Sequence, residues 1–277
     1  WSYAVTTGSL GSTATVSQAD NVFTITPSTT EADAGFFSIT FSVTDGATGA
    51  VNAVSAFTLA FAPVQIGSDT IYTTGSGTYS IPSGANYVKV FVTGGGAGAG
   101  GATGFAGKSH SGGGGAGGTA IGYLAVTAGQ NITYTVGGGG NGGGYTNNGG
   151  PGASSTLNYN GTDFAIGNGG STPTGVGSSA QPQSGGIGGS ATHTGMVSIA
   201  LQNGGDGGNS SGPNIGGAGG TSYYGVGGAG GPENGTAADP SHYGAGGGGA
   251  GSNAAAYRGG GDGAGGYIVI QAWTAAP

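Results

Sequence analysis

The sequence has no cysteine and very few charged residues. The absence of cysteine among its 277 residues excludes disulfide bonds, thiolate metal sites and cysteine nucleophiles. Three residues are basic and ten are acidic, which gives a formal net charge of −7. Three basic side chains cannot neutralise a phosphate backbone or hold a chain on an anionic bilayer. The composition therefore argues against nucleic-acid binding and basic membrane anchoring.

Long apolar runs and helix-forming stretches are also missing. No run approaches the roughly 20 apolar residues that span a bilayer, so we expect no membrane insertion. Glycine supplies 73 residues, and each one costs an α-helix about 1 kcal/mol relative to alanine. These facts predict an all-β protein. Simple disorder is disfavoured, because 13 Tyr, 9 Phe and 2 Trp are present and disordered chains are poor in aromatic residues.

Glycine is distributed unevenly. Residues 1–93 hold 9 glycines and residues 94–277 hold 64. Strand patterns place the start of the second part slightly earlier, near Gln65. We therefore predict two domains, a β-sandwich segment at 1–64 and a glycine-rich β-sandwich domain at 65–277.

Apolar and polar residues alternate in three runs of the first segment, at 23–25, 37–43 and 57–61. Alternation with period two turns one face of a strand inward, and turn signals such as Asp45-Gly46 separate the runs. The pattern predicts a small immunoglobulin-like β-sandwich. Its length is short of the ~100 residues such a domain usually takes, so we expect one or two strands to precede Trp1.

The second segment contains further strand signals at 78–81, 87–92, 120–126, 132–136, 156–159, 162–166 and 267–273. Asn160-Gly161 predicts a hairpin turn, since a type I′ turn needs positive φ at both positions. The nearly continuous apolar run from Tyr267 to Trp273 predicts a strand inside a sheet, with neighbours on both sides.

Glycine runs connect these strands, at 94–101, 112–118, 137–144, 204–208, 216–220, 225–231, 244–251 and 259–266. Flexible linkers explain the composition, but they would not recur eight times inside a unit closed by an apolar strand. We interpret the runs as packed polyglycine-II-like helices, because only glycine lets such backbones touch. Mobile loops on a sandwich are the alternative.

Catalytic and cofactor motifs are weak. Gly-x-Gly-x-x-Gly patterns follow from the glycine content and lack the helix that a dinucleotide site needs. The histidines at 110, 193 and 242 lie in polar segments, and we expect exposed loop side chains. The carboxylates are scattered, and calcium at Asp45 or Asp262 lacks the clustered oxygen ligands it needs. We predict no enzyme activity, no cofactor and no metal site.

Tyrosine and histidine in the loops are the best binding candidates. Tyrosine offers a flat apolar face and a hydroxyl at low entropic cost. These side chains either contact a ligand at loop tips at one end of the glycine bundle, and not on the sheet faces, or they pack within the bundle itself. The candidates are Tyr145, His193, Tyr223, Tyr224, His242, Tyr243 and Tyr257.

Three stretches resemble bacteriophage proteins. Residues 79–96 resemble the opening of glycine-rich domains in tail fibres, and residues 259–273 resemble their closing strand. The alternation of glycine runs with aromatic loops is similar to that of the receptor-binding tip adhesins of T-even-type phages, in which polyglycine-II helices present variable loops. Residues 36–61 resemble phage immunoglobulin-like repeats, although those adhesins have no such segment.

The resemblance implies a virion tail-fibre protein, outside the host cell, whose glycine-rich domain binds a host surface receptor. It also implies a homotrimer and contacts with other fibre proteins of the virion. The acidic balance favours a neutral glycan or an outer-membrane protein over a strongly anionic receptor. The alternative is a structural glycine-rich fibre, filament or matrix protein without a specific ligand.

Overall fold

The computed structural model describes residues 1–8, 10–30, 33–44, 49–60, 62–102, 109–145, 147–174, 176–177, 183–210, 215–233, 235–252 and 257–275. The chain divides into two compact units, Trp1–Pro63 and Val64–Pro277. Antiparallel strands form both units, which confirms the predicted all-β class. Among the described residues, no helix is long and apolar enough to cross a membrane. The predicted Asp45-Gly46 turn and Phe61 lie outside the described residues.

The described part of the first unit contains five strands: β1 (Ser2–Gly8), β2 (Ala14–Ala19), β3 (Val22–Pro27), β4 (Gly35–Val43) and β5 (Val51–Leu59). One sheet has the order β1-β4-β5, and β2 and β3 form a second sheet. Alternating apolar side chains of β4 face inward, so Phe37 and Ile39 are buried. Phe37 also stacks on Phe57 of β5, with ring centroids 5.2 Å apart. The core of this unit is therefore small and rich in phenylalanine.

Thirteen strands occur in the described part of the second unit, and they form two five-stranded sheets and one three-stranded sheet. They are β6 (Gln65–Tyr72), β7 (Ser76–Ser80), β8 (Tyr87–Thr93), β9 (Ser109–Ser111), β10 (Thr119–Ala125), β11 (Asn131–Thr135), β12 (Ser155–Tyr159), β13 (Thr162–Gly167), β14 (Val176–Gly177), β15 (Ala191–His193), β16 (Val197–Gln202), β17 (Gly251–Ser252) and β18 (Tyr267–Trp273).

The large sheets have the orders β16-β10-β8-β18-β6 and β15-β13-β12-β11-β7. Their inner faces share a buried apolar core that includes Val90, Ile132, Leu157, Phe164 and Ile270. Strand β18 pairs with β6 on one side and β8 on the other, so its predicted internal position is confirmed. The predicted turn between β12 and β13 is also confirmed, because Asn160 and Gly161 have φ values of 52° and 81°.

Two strands lie where no strand was predicted, in the polar segment 192–203 that separates two glycine-rich stretches. The structure places β15 and β16 there. Strand β16 pairs with β10 through a register shift between Ile121 and Gly122. The period-two pattern was nevertheless present in the sequence, because Val197, Ile199 and Leu201 alternate with Ser198, Ala200 and Gln202.

The glycine segments pack against each other through backbone hydrogen bonds. Segment 112–118 shows the pattern most clearly. From Gly113 onward, successive N–H groups donate in rotation to three neighbouring segments, 204–208, 244–247 and 168–171. Carbonyl groups of the same segment accept from three others, at 94–97, 186–189 and 220. A rotation that repeats every third residue is what three residues per turn produces, and it gives this segment six neighbours.

Side chains are excluded from most of these contacts. A Cβ atom added to Gly113 would lie 1.9 Å from the carbonyl oxygen of Ala218, and one added to Gly114 would lie 2.1 Å from that of Ala97. Such distances are far below any van der Waals contact. The segments therefore approach closely enough to exchange hydrogen bonds only because glycine has no side chain.

Neighbouring glycines offer a matched test of this packing. A Cβ at Gly139 would lie 2.0 Å from the carbonyl oxygen of Gly263, whereas one at Gly138 meets nothing within 4 Å. We expect Gly139→Ala to lower the free energy of unfolding by about 3 kcal/mol or more, because the segments must separate. Gly138→Ala should change it by no more than about 0.5–1 kcal/mol, in either direction. Denaturant unfolding of both variants measures the difference, and equal losses would contradict close backbone packing.

Candidate functional site

Two of the candidate tyrosines lie at the tip of a tight turn. The Ser222 N–H donates to the Gly225 carbonyl over 2.9 Å, and the Tyr224 N–H donates to the Ser222 hydroxyl over 3.2 Å. Serine is favoured here because its hydroxyl can satisfy a backbone donor inside the turn. Tyr223 and Tyr224 therefore occupy the two central positions, where their side chains project from the backbone.

Tyr243 occupies a second tight turn. The Ala245 N–H donates to the His242 carbonyl over 3.2 Å, and Gly244 between them has a φ of 74°. Glycine at the third position of a turn accepts this positive φ without strain. The Ser222 hydroxyl also donates to the Tyr243 carbonyl over 2.6 Å. This bond fixes the first turn to the second.

The rings of these turns pack with a strand residue to form a cluster, which we call the tyrosine patch (Tyr223, Tyr224, Tyr243 and Tyr267). Tyr243 stacks on Tyr267 of β18 with ring centroids 4.5 Å apart. Tyr224 meets the other three rings edge-on, at centroid distances of 5.1, 6.4 and 5.0 Å. Edge-to-face and offset stacked geometries are the favourable ones for aromatic pairs, so the patch holds its own shape.

Tyr224 anchors the patch to the sheet. Burial, aided by the neighbouring Tyr267, raises the pKa of the Tyr224 hydroxyl above its ordinary value, against the opposing effect of a hydrogen bond with Thr93. Thr93 lies in β8 and is fully buried, and its hydroxyl bonds that of Thr119 in β10 over 2.8 Å. The Tyr224 side chain therefore packs between the turns and the sheet. The side chains of Tyr223 and Tyr243 remain 46% and 42% exposed.

A shallow depression of about 210 Å³ adjoins the patch. It is lined by Tyr223, Tyr224 and Tyr267 of the patch and by the strand residues Asp69, Phe91, Val269 and Gln271. The turns thus lie against the outer face of the β16-β10-β8-β18-β6 sheet, so turn and sheet residues line one surface. A larger apolar depression of about 290 Å³ lies in the first unit and includes Phe37 and Phe57, but it has no comparable set of polar groups.

Asp69 reaches this face through a bulge in β6. The pairing of β6 with β18 shifts register between Ile270 and Ala272, so extra β6 residues lie opposite Gln271. Gly67 in this bulge has a φ of 74°. Bulges commonly redirect a side chain. Here, one carboxylate oxygen of Asp69 accepts hydrogen bonds from the side-chain amides of Gln65, over 2.7 Å, and Gln271, over 2.9 Å.

Two other candidate tyrosines form a separate aromatic pair. The rings of Tyr145 and Tyr257 meet edge-on with centroids 4.7 Å apart, and the side chains are 60% and 48% exposed. Tyr145 has a φ of 42°, which is uncommon for a residue other than glycine. No described contact joins this pair to the tyrosine patch.

The three histidines have different environments. His193 ends the edge strand β15 and is exposed, outside the patch. His242 is half-buried in the second turn, where its ring lies against Gly225, and its Nδ1 is 3.1 Å from the Ser241 hydroxyl. His110 was expected to be exposed, and that prediction is wrong. It lies in β9 and is fully buried, because β14 and β17 pair with β9 on either side.

Several acidic side chains accept hydrogen bonds from backbone N–H groups. Asp262 accepts from the Gly142 N–H over 2.6 Å, Asp206 accepts from the Gly188 N–H over 2.8 Å, and Asp239 accepts from the Asp262 N–H over 2.8 Å. These carboxylates satisfy donors between glycine segments. The described residues contain no group of three or more acidic or histidine side chains able to hold a metal ion, and Asp45 lies outside them.

The loop tyrosines were predicted as binding candidates from the sequence, but the sheet faces were not, although sheet residues line the depression beside the patch. Tyr267 was predicted only as part of a strand, and Asp69, Phe91 and Gln271 were not selected. The alternation Tyr267, Val269, Gln271 could have indicated one outer face of β18. Asp69 could not be placed there, because the bulge that aligns it with Gln271 depends on the pairing of two distant strands.

The ionisation of Tyr224 gives a test of its anchoring role. Since its pKa in the folded state is raised above the unfolded value of 10.0, its contribution to stability is fully present below about pH 10 and is lost as pH rises through the folded pKa. We expect Tyr224→Phe to cost about 1 kcal/mol at neutral pH through the lost hydroxyl bond. The difference in the free energy of unfolding between the parent protein and Tyr224→Phe should narrow above about pH 10. Denaturant unfolding at several pH values measures it, and parallel curves would contradict the anchor.

A family model described as a glycine-rich domain matches residues 72–273. This range includes the tyrosine patch, the glycine segments and both large sheets, except that only Tyr72 of β6 lies within it. No curated protein is significantly similar to the chain. The match spans well over half of the sequence. The chain therefore belongs to the glycine-rich domain family.

Proposed function

We propose that this protein is a receptor-binding module of a bacteriophage tail fibre, and that it acts outside the host cell as part of the virion. The observation that carries the proposal is the tyrosine patch, in which two tight turns hold exposed Tyr223 and Tyr243 on a packed glycine scaffold. Rigid tyrosines on loops are typical of recognition surfaces. The resemblance of residues 79–96 and 259–273 to tail-fibre domains supports the virion context.

Two tyrosines of the patch are partly buried and two are exposed, and this difference supports a role in binding over a purely internal role. Tyr224 and Tyr267 are partly buried and hold the turns against the sheet. Tyr223 and Tyr243 each leave more than two fifths of their surface in solvent, although their backbones are fixed by hydrogen bonds. A pre-ordered aromatic surface loses little conformational freedom when a ligand binds.

The proposed partners are a host surface receptor, either a glycan or an outer-membrane protein, and other fibre proteins of the virion. We propose a homotrimer as well. Strand β16 supports assembly, because it forms a sheet edge and exposes Val197, Ile199 and Leu201. An exposed apolar edge strand is a surface that proteins usually cover. The same strand favours the second candidate function, a structural fibre, filament or matrix protein in which such edges join subunits.

Binding to cells tests the receptor proposal. Labelled protein is incubated with a panel of bacterial strains, and bound label is measured by flow cytometry. We expect the double variant Tyr223→Ala/Tyr243→Ala to lose at least about tenfold in binding to any strain that the unaltered protein labels. Its thermal midpoint should stay close to that of the parent, since both side chains are exposed.

The matched control is Tyr145→Ala/Tyr257→Ala, which removes the other exposed tyrosine pair. Retained binding in this control and loss in the patch variant would support the patch. Equal binding by the patch variant and the parent would refute it as the site. A parent protein that labels no strain would favour the structural alternative.

A further inference from the structure

We propose that the depression beside the tyrosine patch binds one ring of a neutral saccharide, with the sugar face on Tyr223 and sugar hydroxyls on Asp69 and Gln271. This inference rests on the proposed function, because it names the ligand class of the same surface. It is carried by three features of the depression: its size, its aromatic wall and its pair of linked polar groups.

The size fits a small ligand unit. The depression measures about 210 Å³, below the ≈ 300–1,000 Å³ of pockets that enclose drug-sized molecules. It is open to solvent along the sheet face, so further units of a chain could continue outward. A depression this shallow and open fits one ring of a longer saccharide better than it fits a whole small molecule.

The wall of the depression is aromatic. Tyr223 is held edge-on to Tyr224, with ring centroids 5.1 Å apart, and it is 46% exposed. Phe91 and Val269 form the sheet side. The C–H face of a pyranose ring is apolar and flat, so it can be buried against a tyrosine ring while its hydroxyls remain directed outward. An exposed ring beside an apolar floor provides that surface.

The polar groups are arranged as a linked pair. One oxygen of the Asp69 carboxylate accepts from Gln65 and Gln271. A carboxylate can accept further hydrogen bonds through its second oxygen, and an amide that donates through its nitrogen still has its carbonyl oxygen as an acceptor. Both groups are thus fixed in orientation and can accept from neighbouring hydroxyls. Hydroxyl donors on adjacent carbons are a defining feature of saccharides.

The charge at the site argues for a neutral ligand. Asp69 lines the depression, and its charge contributes to the raised pKa of Tyr267, after burial and Tyr243. Lys89 is the cross-strand partner of Gln271, and its ammonium lies over the Phe91 and Tyr123 rings, 5.4 and 5.7 Å from their centroids, so one cation also borders the depression. The protein carries a net charge of −7. One carboxylate and one ammonium thus border the depression, and an acidic sugar gains no net attraction from this pair within the negative field of the protein.

The test is saturation-transfer NMR on the full chain, with binding constants from probe titrations. The neutral probes are methyl glucoside, methyl galactoside and N-acetylglucosamine, and glucuronic acid is the anionic probe. We expect weak, millimolar binding of at least one neutral probe and none of the anionic one. Tyr223→Ala and Asp69→Asn should each weaken binding about fivefold or more. Tyr3→Ala, which removes an exposed tyrosine of the first unit, should leave it unchanged.

The outcomes separate this inference from the proposed function. Protein that labels cells but binds none of the neutral probes would overturn the saccharide assignment and leave receptor binding intact. Protein that binds a neutral probe through Tyr223 and Asp69 but labels no cells would support the assignment and remove the receptor proposal. Tighter binding of glucuronic acid, or unchanged binding in both variants, would also overturn it. Asp69→Asn preserves shape, so it keeps the test valid if Tyr223→Ala unfolds.

Discussion

Backbone hydrogen bonding between glycine segments is the interaction on which the second unit depends. In an ordinary domain, side chains fill the space between elements and supply most of the stabilisation. Here the segments have almost no side chains, and their N–H and C=O groups must find partners in neighbouring segments. Segment 112–118 meets this demand by donating in rotation to three neighbours and accepting from three others. Dense hydrogen bonding offsets the high entropy cost of ordering glycine.

The two packed sheets and the glycine segments have different structural roles in the second unit. The sheets contain the apolar core, where Val90, Leu157, Phe164 and Ile270 exclude water. The glycine segments extend from the ends of these strands and hold the turns that carry tyrosine. Because Thr93 and Thr119 are buried at this junction, Tyr224 is anchored where sheet and glycine segments meet. The exposed tyrosines therefore have a rigid base, which is what a recognition surface needs.

Much of this fold could be predicted from local sequence features. The parts that depend on pairing between distant strands could not. The β18 strand, the Asn160-Gly161 turn and the packing of glycine runs follow from apolar continuity, positive φ and close approach. Strand β16 was missed although Val197, Ile199 and Leu201 alternate with smaller or polar residues, because its segment lies among polar stretches between glycine runs. His110 was expected to be exposed, yet two short strands cover it. The patch tyrosines could be selected from their type, but their grouping with Asp69 depends on a bulge between distant strands.

Amide hydrogen exchange tests the central claim most directly. If the glycine segments are held by hydrogen bonds to six neighbours, the amides of Gly114, Gly117 and Gly220 must open with the whole unit. They should then exchange as slowly as those of the central strand β8, orders of magnitude below the rate of an unstructured glycine peptide. Fast exchange at these three glycines, with protection confined to the sheets, would contradict the account, because the segments would then be mobile loops attached to a β-sandwich.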